Sequence, residues 1–249
     1  MTHRSIGILG GGVSGIALAA HLGDNVHQKR RDNKIWFKGR LVKYPFENDL
    51  ASLPPEDNFE CIYGYIVNPH ANDEPRNLAE WSYKTFGAGI SDKYFIPYNR
   101  KIWNYEPTKL GLEFVSRIPK PPMEDVLKSS IGIPTEGYLH QLNFFYPIEG
   151  GYEQIVHGFA KRVRGDIRTS FVVGEVRREG DRWVVNGERK YDELISTLPI
   201  HELLKVWRDA PPEVHEHAAK LRYNSLINVV LGVNEDRGYP WTALYVPDP

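Results

Sequence analysis

The sequence predicts an α/β fold: a discontinuous, Rossmann-like dinucleotide-binding domain with an inserted, mostly helical domain. Three observations predict it. A short apolar strand, a glycine turn and an apolar helix follow one another in the first 22 residues. The middle of the chain then reads as a hairpin followed by aromatic-rich helices. From Asn143 the texture returns to short strands separated by charged turns. The expected division is 1–32 with 143–199 for the nucleotide-binding domain and 33–142 for the inserted domain. Residues 200–249 would add helices and a strand to the inserted region.

Ser5 to Leu9 reads as a buried strand and Ile16 to Leu22 as a helix. Between them Gly10-Gly11-Gly12-Val13-Ser14-Gly15 carries the G-x-G-x-x-G spacing of a dinucleotide site. Gly10 permits the tight turn, Gly12 lets the backbone approach a pyrophosphate, and Gly15 lets the helix pack on the strand. The helix N-terminus offers free N–H groups and partial positive charge to the phosphates. Ala17-Leu18-Ala19 resembles a signal-peptidase site, but four glycines interrupt the apolar run before it.

A second apolar strand ending in an acid is expected about 20 residues on. Gly23 to Asn33 holds one aliphatic, Val26. Asp32 stands at a distance suited to a ribose acid, and equally to a solvated turn before a hairpin. Ile35 to Tyr44 reads as that hairpin, turning at Lys38-Gly39 and closed by Pro45. Pro54-Pro55 opens a helix to about Val67, and Asn68 to Pro75 is a polar loop. Leu78 to Phe86 reads helical. Ile90, Tyr94, Tyr98 and Ile102 recur every four residues, predicting a helix through Trp103 with a kink at Pro97. Pro119, Pro121, Pro122 and Pro134 break the next stretch into short pieces. Phe144 to Pro147 is strand-like, and Gly150-Gly151 starts a helix to about Val163. Ile167 to Val173, Trp183 to Asn186, Leu194 to Thr197 and Leu226 to Val233 are expected strands. His201 to Trp207 and Pro212 to Leu221 are expected helices.

Bulk properties narrow the function. The 249 residues carry 31 Lys and Arg against 32 Asp and Glu, net −1, so there is no electrostatic footprint for nucleic acid. No apolar run approaches the roughly 20 residues of a membrane helix. Cys61 is the single cysteine, which excludes an intrachain disulfide and suits a reducing cytoplasmic setting. It reads as a buried small hydrophobe. His215 and His217 point in different directions on a helix, and no metal-ligand cluster is present. Nothing resembles a nucleophile elbow. No protein side chain stands out as catalytic, so the chemistry is expected to belong to a cofactor.

Three clusters of aromatic and polar residues follow the glycine motif: Lys43 to Asn48, Tyr98 to Trp103, and Arg117-Ile118-Pro119, whose guanidinium suits a phosphate. With these the chain resembles the UDP-galactopyranose mutase family, within the wider FAD-binding superfamily of amine oxidases and protoporphyrinogen oxidases. The carriers are the glycine loop, Tyr44-Pro45-Phe46-Glu47-Asn48, Pro97 to Trp103 and Arg117-Ile118-Pro119. Tyr146 to Gly151, Ser196-Thr197-Leu198-Pro199 and Leu244-Tyr245-Val246-Pro247 follow in the family's order.

The resemblance implies FAD held by Gly10, Gly12, Val13, Ser14, Gly15, Val173, Thr197 and Pro199. It implies a substrate pocket drawn from Tyr44, Phe46, Glu47, Tyr98, Trp103, Arg117 and Tyr245. Phe46 and Glu47 would line the uridine side, Trp103 would close over the nucleotide, and Arg117 and Tyr245 would lie at the diphosphate. The implied reaction is pyranose–furanose isomerisation of a UDP-sugar by reduced flavin, without net redox change. An oxidoreductase of the amine oxidase or protoporphyrinogen oxidase kind is the alternative. The family has roughly fifty more residues after Leu22, and it continues past Tyr245. From those departures a shortened, inactive relative is a third expectation.

Overall fold

The computed structural model describes residues 6–9, 27–118, 120–135, 143–235 and 238–247. In chain order its strands and longer helices are β1 (Ile6–Leu9), β2 (His27–Arg30), β3 (Asn33–Phe37), β4 (Arg40–Lys43), α1 (Pro55–Ile66), α2 (Leu78–Ile90), α3 (Ile96–Trp103), α4 (Met123–Ser130), β5 (Asn143–Tyr146) and α5 (Glu153–Ala160). After them come β6 (Val176–Glu179), β7 (Arg182–Val185), β8 (Arg189–Tyr191), β9 (Glu193–Ser196), α6 (Ile200–Val206), α7 (Pro212–Ala218) and β10 (Ala243–Tyr245). The glycine loop 10–15 and the helix expected after it lie outside the described residues.

The chain divides into two compact units. One joins Met1–His27 to Phe145–Tyr223, and the other joins Gln28–Phe144 to Asn224–Pro249. In the first unit β1 pairs in parallel with β9, Ile6 opposite Glu193 and Leu9 opposite Ser196. Strands β6, β7 and β8 form an antiparallel sheet. Val176 and Val185 are its buried centre, with Trp183, Leu194, Leu198 and Val206 against them. Val206 ends α6, and Trp207 after it meets Trp183 edge to face at 5.8 Å. Residues 200–223 therefore lie in this unit, not with the inserted region.

The second unit is built on the hairpin β3–β4, paired Lys34 to Lys43 through Phe37 to Arg40. Lys38 and Gly39 have φ of 46° and 79°. Positive φ at both central residues is the two-residue turn whose twist matches the strands. Strand β10 adds in parallel to β3, with Tyr245 opposite Ile35. Ile35 and Val42 on the hairpin's inner face join Leu50, Cys61, Leu78, Trp81 and Phe86 in one core. Cys61 is fully buried, as its sequence setting implied, and burial pushes its thiol up to about 12.

Helix α1 starts on Pro55, where a missing N–H costs nothing. Asn77 caps α2, its side chain accepting from the Glu80 amide at 3.0 Å. The two helices approach closely because glycines face each other: a Cβ on Gly89 would sit 2.3 Å from the Glu60 carbonyl oxygen. A turn of π-helix, Ser91–Phe95, leads directly into α3. Pro97 stands in the first turn of α3, directly after that π-helical turn.

Two expected strands are irregular instead. Ile167 to Val173 and Leu226 to Val233 form no ladder, and Val230 is 95% exposed. A β-branched run becomes a strand only against a partner, and among the described residues neither stretch has one. Strands β6, β8 and β10, and β2, which pairs with β5, were not expected from the sequence. In β6 the apolar signal is hidden by ion-paired side chains: Arg177 meets Glu175 at 3.0 Å, and Lys190 on β8 meets Glu179 at 2.8 Å.

Candidate functional site

The second unit contains a cleft of about 380 Å³. Hairpin exit, π-turn, α3 and the loop around Arg117 supply its walls. Tyr44, Pro45 and Glu47 come from the first of these. Tyr94, Phe95, Tyr98, Asn99, Ile102 and Trp103 come from the π-turn and α3. Phe86, Phe114, Arg117 and Ile118 complete it. Five of the seven substrate residues implied by the sequence thus meet around one cavity: Tyr44, Glu47, Tyr98, Trp103 and Arg117.

The other two sit behind the wall. Phe46 is fully buried, stacked on Tyr94 at 4.8 Å and edge-on to Phe37 at 5.3 Å, so it shapes the core and does not line the cleft. Tyr245 packs against Tyr44 at 5.1 Å and Tyr98 at 5.6 Å. Its hydroxyl accepts a hydrogen bond from Asn33 Nδ2 at 3.2 Å, and Asn33 Oδ1 accepts from the Thr242 hydroxyl at 2.8 Å. Tyr245 is therefore a buttress for two cleft tyrosines. Asp32 lies at this same junction, its amide donating to the Thr242 hydroxyl oxygen at 3.0 Å, its carbonyl accepting from the Thr242 amide at 2.7 Å, and its carboxylate ion-paired to Lys34 at 2.8 Å.

Sequence reasoning missed Tyr94, Phe86 and Phe114, and placed Asn99 in a candidate cluster without giving it a role. Asn99 is buried and bridges one turn of α3. Its Nδ2 donates to the Phe95 carbonyl at 2.8 Å, and its Oδ1 accepts from Trp103 Nε1 at 3.2 Å. Phe114 meets the same indole edge to face at 5.4 Å. Trp103 is thus held on two sides at the last turn of its helix, which ends at Asn104 with φ of 48°. The i, i+4 spacing of Asn99 and Trp103 was the available signal.

The electrostatics of the cleft are mixed. Glu47 is a carboxyl only 5% exposed among phenols. Burial, then the neighbouring Tyr245 and Glu47, pushes Tyr44 up to about 12. Burial, then Tyr245 and Tyr44, also raises Tyr98. These phenols are protonated donors near neutral pH. Arg117 supplies an exposed guanidinium at the rim. The cleft combines an aromatic lining, phenolic donors and an exposed guanidinium, a set of groups that suits a planar, anionic small molecule.

In the first unit β1 and β9 are parallel with Leu9 beside Ser196, so Thr197-Leu198-Pro199 follows the carboxyl end of β9 next to that of β1. Ligands of open α/β sheets bind at that edge. The Leu198 amide bonds back to Ser196 Oγ at 3.3 Å, and Pro199 immediately precedes α6. Val173 packs beside Val176 and Val185.

A model of the flavin containing amine oxidoreductases matches residues 84–241, well over half the chain. The chain belongs to this family. Its cofactor is FAD. Among solved structures it is similar to reduced UDP-galactopyranose mutase, with a TM-score of 0.75 at 21% identity over 89% of this chain and 62% of the other. It is also similar to a protein of Exiguobacterium sp. 255-15 assigned as a protoporphyrinogen oxidase. There the TM-score is 0.57 at 15% identity, covering 87% of this chain and 64% of that one. The chain spans just under two thirds of the length of each. The likenesses establish an α/β flavoprotein fold. No helix among the described residues is long and apolar enough to cross a membrane, and none of their side chains cluster as metal ligands.

Proposed function

We propose that this family member acts on a nucleotide sugar in the manner of UDP-galactopyranose mutase, interconverting its pyranose and furanose rings in the cytoplasm. One observation carries the reading: Tyr44 at the hairpin exit, Tyr98 and Trp103 on α3, and Arg117 on a later loop come from three separate segments and line a single cleft. The aromatic walls suit a nucleoside, and the guanidinium at the rim suits a diphosphate through paired charge-assisted hydrogen bonds. In this reading Trp103, positioned by Asn99 and Phe114, covers the nucleotide. Tyr44 and Tyr98, backed by Tyr245, present hydroxyl donors that remain protonated. Gly10, Gly12, Val13, Ser14 and Gly15 cradle the FAD pyrophosphate, with Val173, Thr197 and Pro199 along the cofactor. Reduced FAD, when bound, supplies a nucleophile for the anomeric carbon. The inserted second unit is then the substrate domain.

Glu47 favours a second reading. A buried carboxyl among aromatic rings also suits a substrate ammonium, as an amine-oxidising relative requires. The two separate in one experiment. Dithionite-reduced protein is incubated with UDP-galactofuranose and the products are resolved by chromatography. Appearance of UDP-galactopyranose supports the mutase reading. Its absence, with amine-dependent oxygen uptake by the oxidised protein, establishes the oxidoreductase instead.

A further inference from the structure

Tyr94 is the least explained side chain of the cleft. It lines the cavity, yet its residue is 5% exposed and its hydroxyl has no hydrogen-bond partner. Its ring is stacked on Phe46 at 4.8 Å and on Tyr98 at 5.1 Å. A ring covered in this way shows a ligand little except its edge. A phenylalanine would keep both stacks and remove the orphaned group. Buried hydroxyls without partners are rare because they lose their bonds to water and gain nothing in return.

We infer that the Tyr94 hydroxyl is a specificity determinant, completed by a hydrogen bond to the edge of the planar base of the bound nucleotide. The inference rests on the nucleotide reading above and adds to it the group that distinguishes the base from a bare diphosphate. Placement supports this. Tyr94 and Tyr98 are one turn apart, on the wall that also holds Trp103, and the Tyr94 phenol lies within the electrostatic reach of Tyr98, Tyr44 and Glu47. Arg117 is the cation at the rim. A ligand with its diphosphate at Arg117 would place a ring against the aromatic wall. Burial, then these neighbours, raises the Tyr94 phenol far above its ordinary value, so it can donate at any working pH.

The test is Tyr94→Phe, with Arg117→Ala as its companion. Affinity is measured calorimetrically for UDP and, by competition against UDP, for inorganic pyrophosphate. Thermal unfolding is recorded without ligand. The expected result for Tyr94→Phe has two opposite parts. The melting temperature is unchanged or higher, because no protein hydrogen bond is lost. UDP binds about three- to tenfold more weakly, the scale of one neutral hydrogen bond, while pyrophosphate keeps its affinity. Arg117→Ala weakens both ligands. Unchanged UDP affinity in Tyr94→Phe overturns the inference, as does a lowered melting temperature, which would show the hydroxyl serving the fold. Wild-type protein that binds neither ligand removes the nucleotide reading itself. UDP binding that responds to Arg117→Ala but not to Tyr94→Phe leaves that reading standing and removes this inference alone.

Discussion

Replacing Asn99 with alanine tests whether the cleft wall is held as described. Asn99 is 5% exposed and makes side-chain hydrogen bonds of 2.8 and 3.2 Å, to the Phe95 carbonyl and from the Trp103 indole. Each is worth about 1 kcal/mol net. The vacated volume adds about 0.5 kcal/mol. Alanine returns about 0.5 kcal/mol through its better helix propensity. The expected loss is about 2 kcal/mol, a fall of roughly 4–8 °C in melting temperature for a chain of this size. A local effect accompanies it. Trp103 loses its acceptor and keeps only the Phe114 contact. With 5-fluorotryptophan incorporated and the Trp103 resonance assigned from Trp103→Phe, that resonance should shift and broaden in Asn99→Ala. A melting temperature within about a degree of wild type, with the resonance unmoved, would refute the positioning argument.

Further predictions concern the frame of the cleft. Gly89→Ala places a methyl 2.3 Å from the Glu60 carbonyl oxygen and must push α1 from α2, so denaturant unfolding should show a loss of about 2–3 kcal/mol. Asp57 accepts from Lys38 and Lys93, each at 2.7 Å at its closest. Burial pushes this carboxyl up, but the two lysines outweigh it and hold it below its usual value. Its stabilisation is therefore present at neutral pH and lost as pH falls through the lowered value. Asp57→Asn should cost about 2–3 kcal/mol at pH 7, the solvated Lys38 contributing little. Wild-type and mutant stabilities should converge as pH falls through that lowered value. Tyr44, Tyr94 and Tyr98 are all raised, chiefly by burial. Folded values above the unfolded one of about 10 mean stability is complete below that pH and falls as pH rises beyond it. Phenolate absorbance from these three should appear only with the loss of helical circular dichroism.

Local signals carried much of the second unit. Lys38-Gly39 between apolar stretches marked the hairpin, Pro54-Pro55 marked the start of α1, and the four-residue recurrence from Ile90 to Ile102 marked the helical run through Trp103 but not the cleft it lines. What periodicity left unresolved was which neighbour each aromatic meets. Phe46 and Glu47 are adjacent, yet one is fully buried in the core and the other lines the cavity, because the chain turns between them. Leu226 to Val233 has strand-forming side chains and no partner strand among the described residues, and β-propensity alone does not supply one. The charged strands β6 and β8 failed as signals for the opposite reason: ion-paired charged side chains such as Arg177 with Glu175 and Lys190 with Glu179 replace the apolar alternation that identifies a half-buried strand.

The proposed function depends on the cleft in the second unit receiving a nucleoside diphosphate. The most direct measurement is the UDP dissociation constant of the wild-type protein and of Arg117→Ala, by isothermal calorimetry at fixed ionic strength. A charge-assisted contact of about 1.5–3 kcal/mol predicts binding in the wild type and a loss of roughly ten- to a hundredfold in the mutant. No binding of UDP to the wild type, or equal affinity in the two proteins, would contradict it.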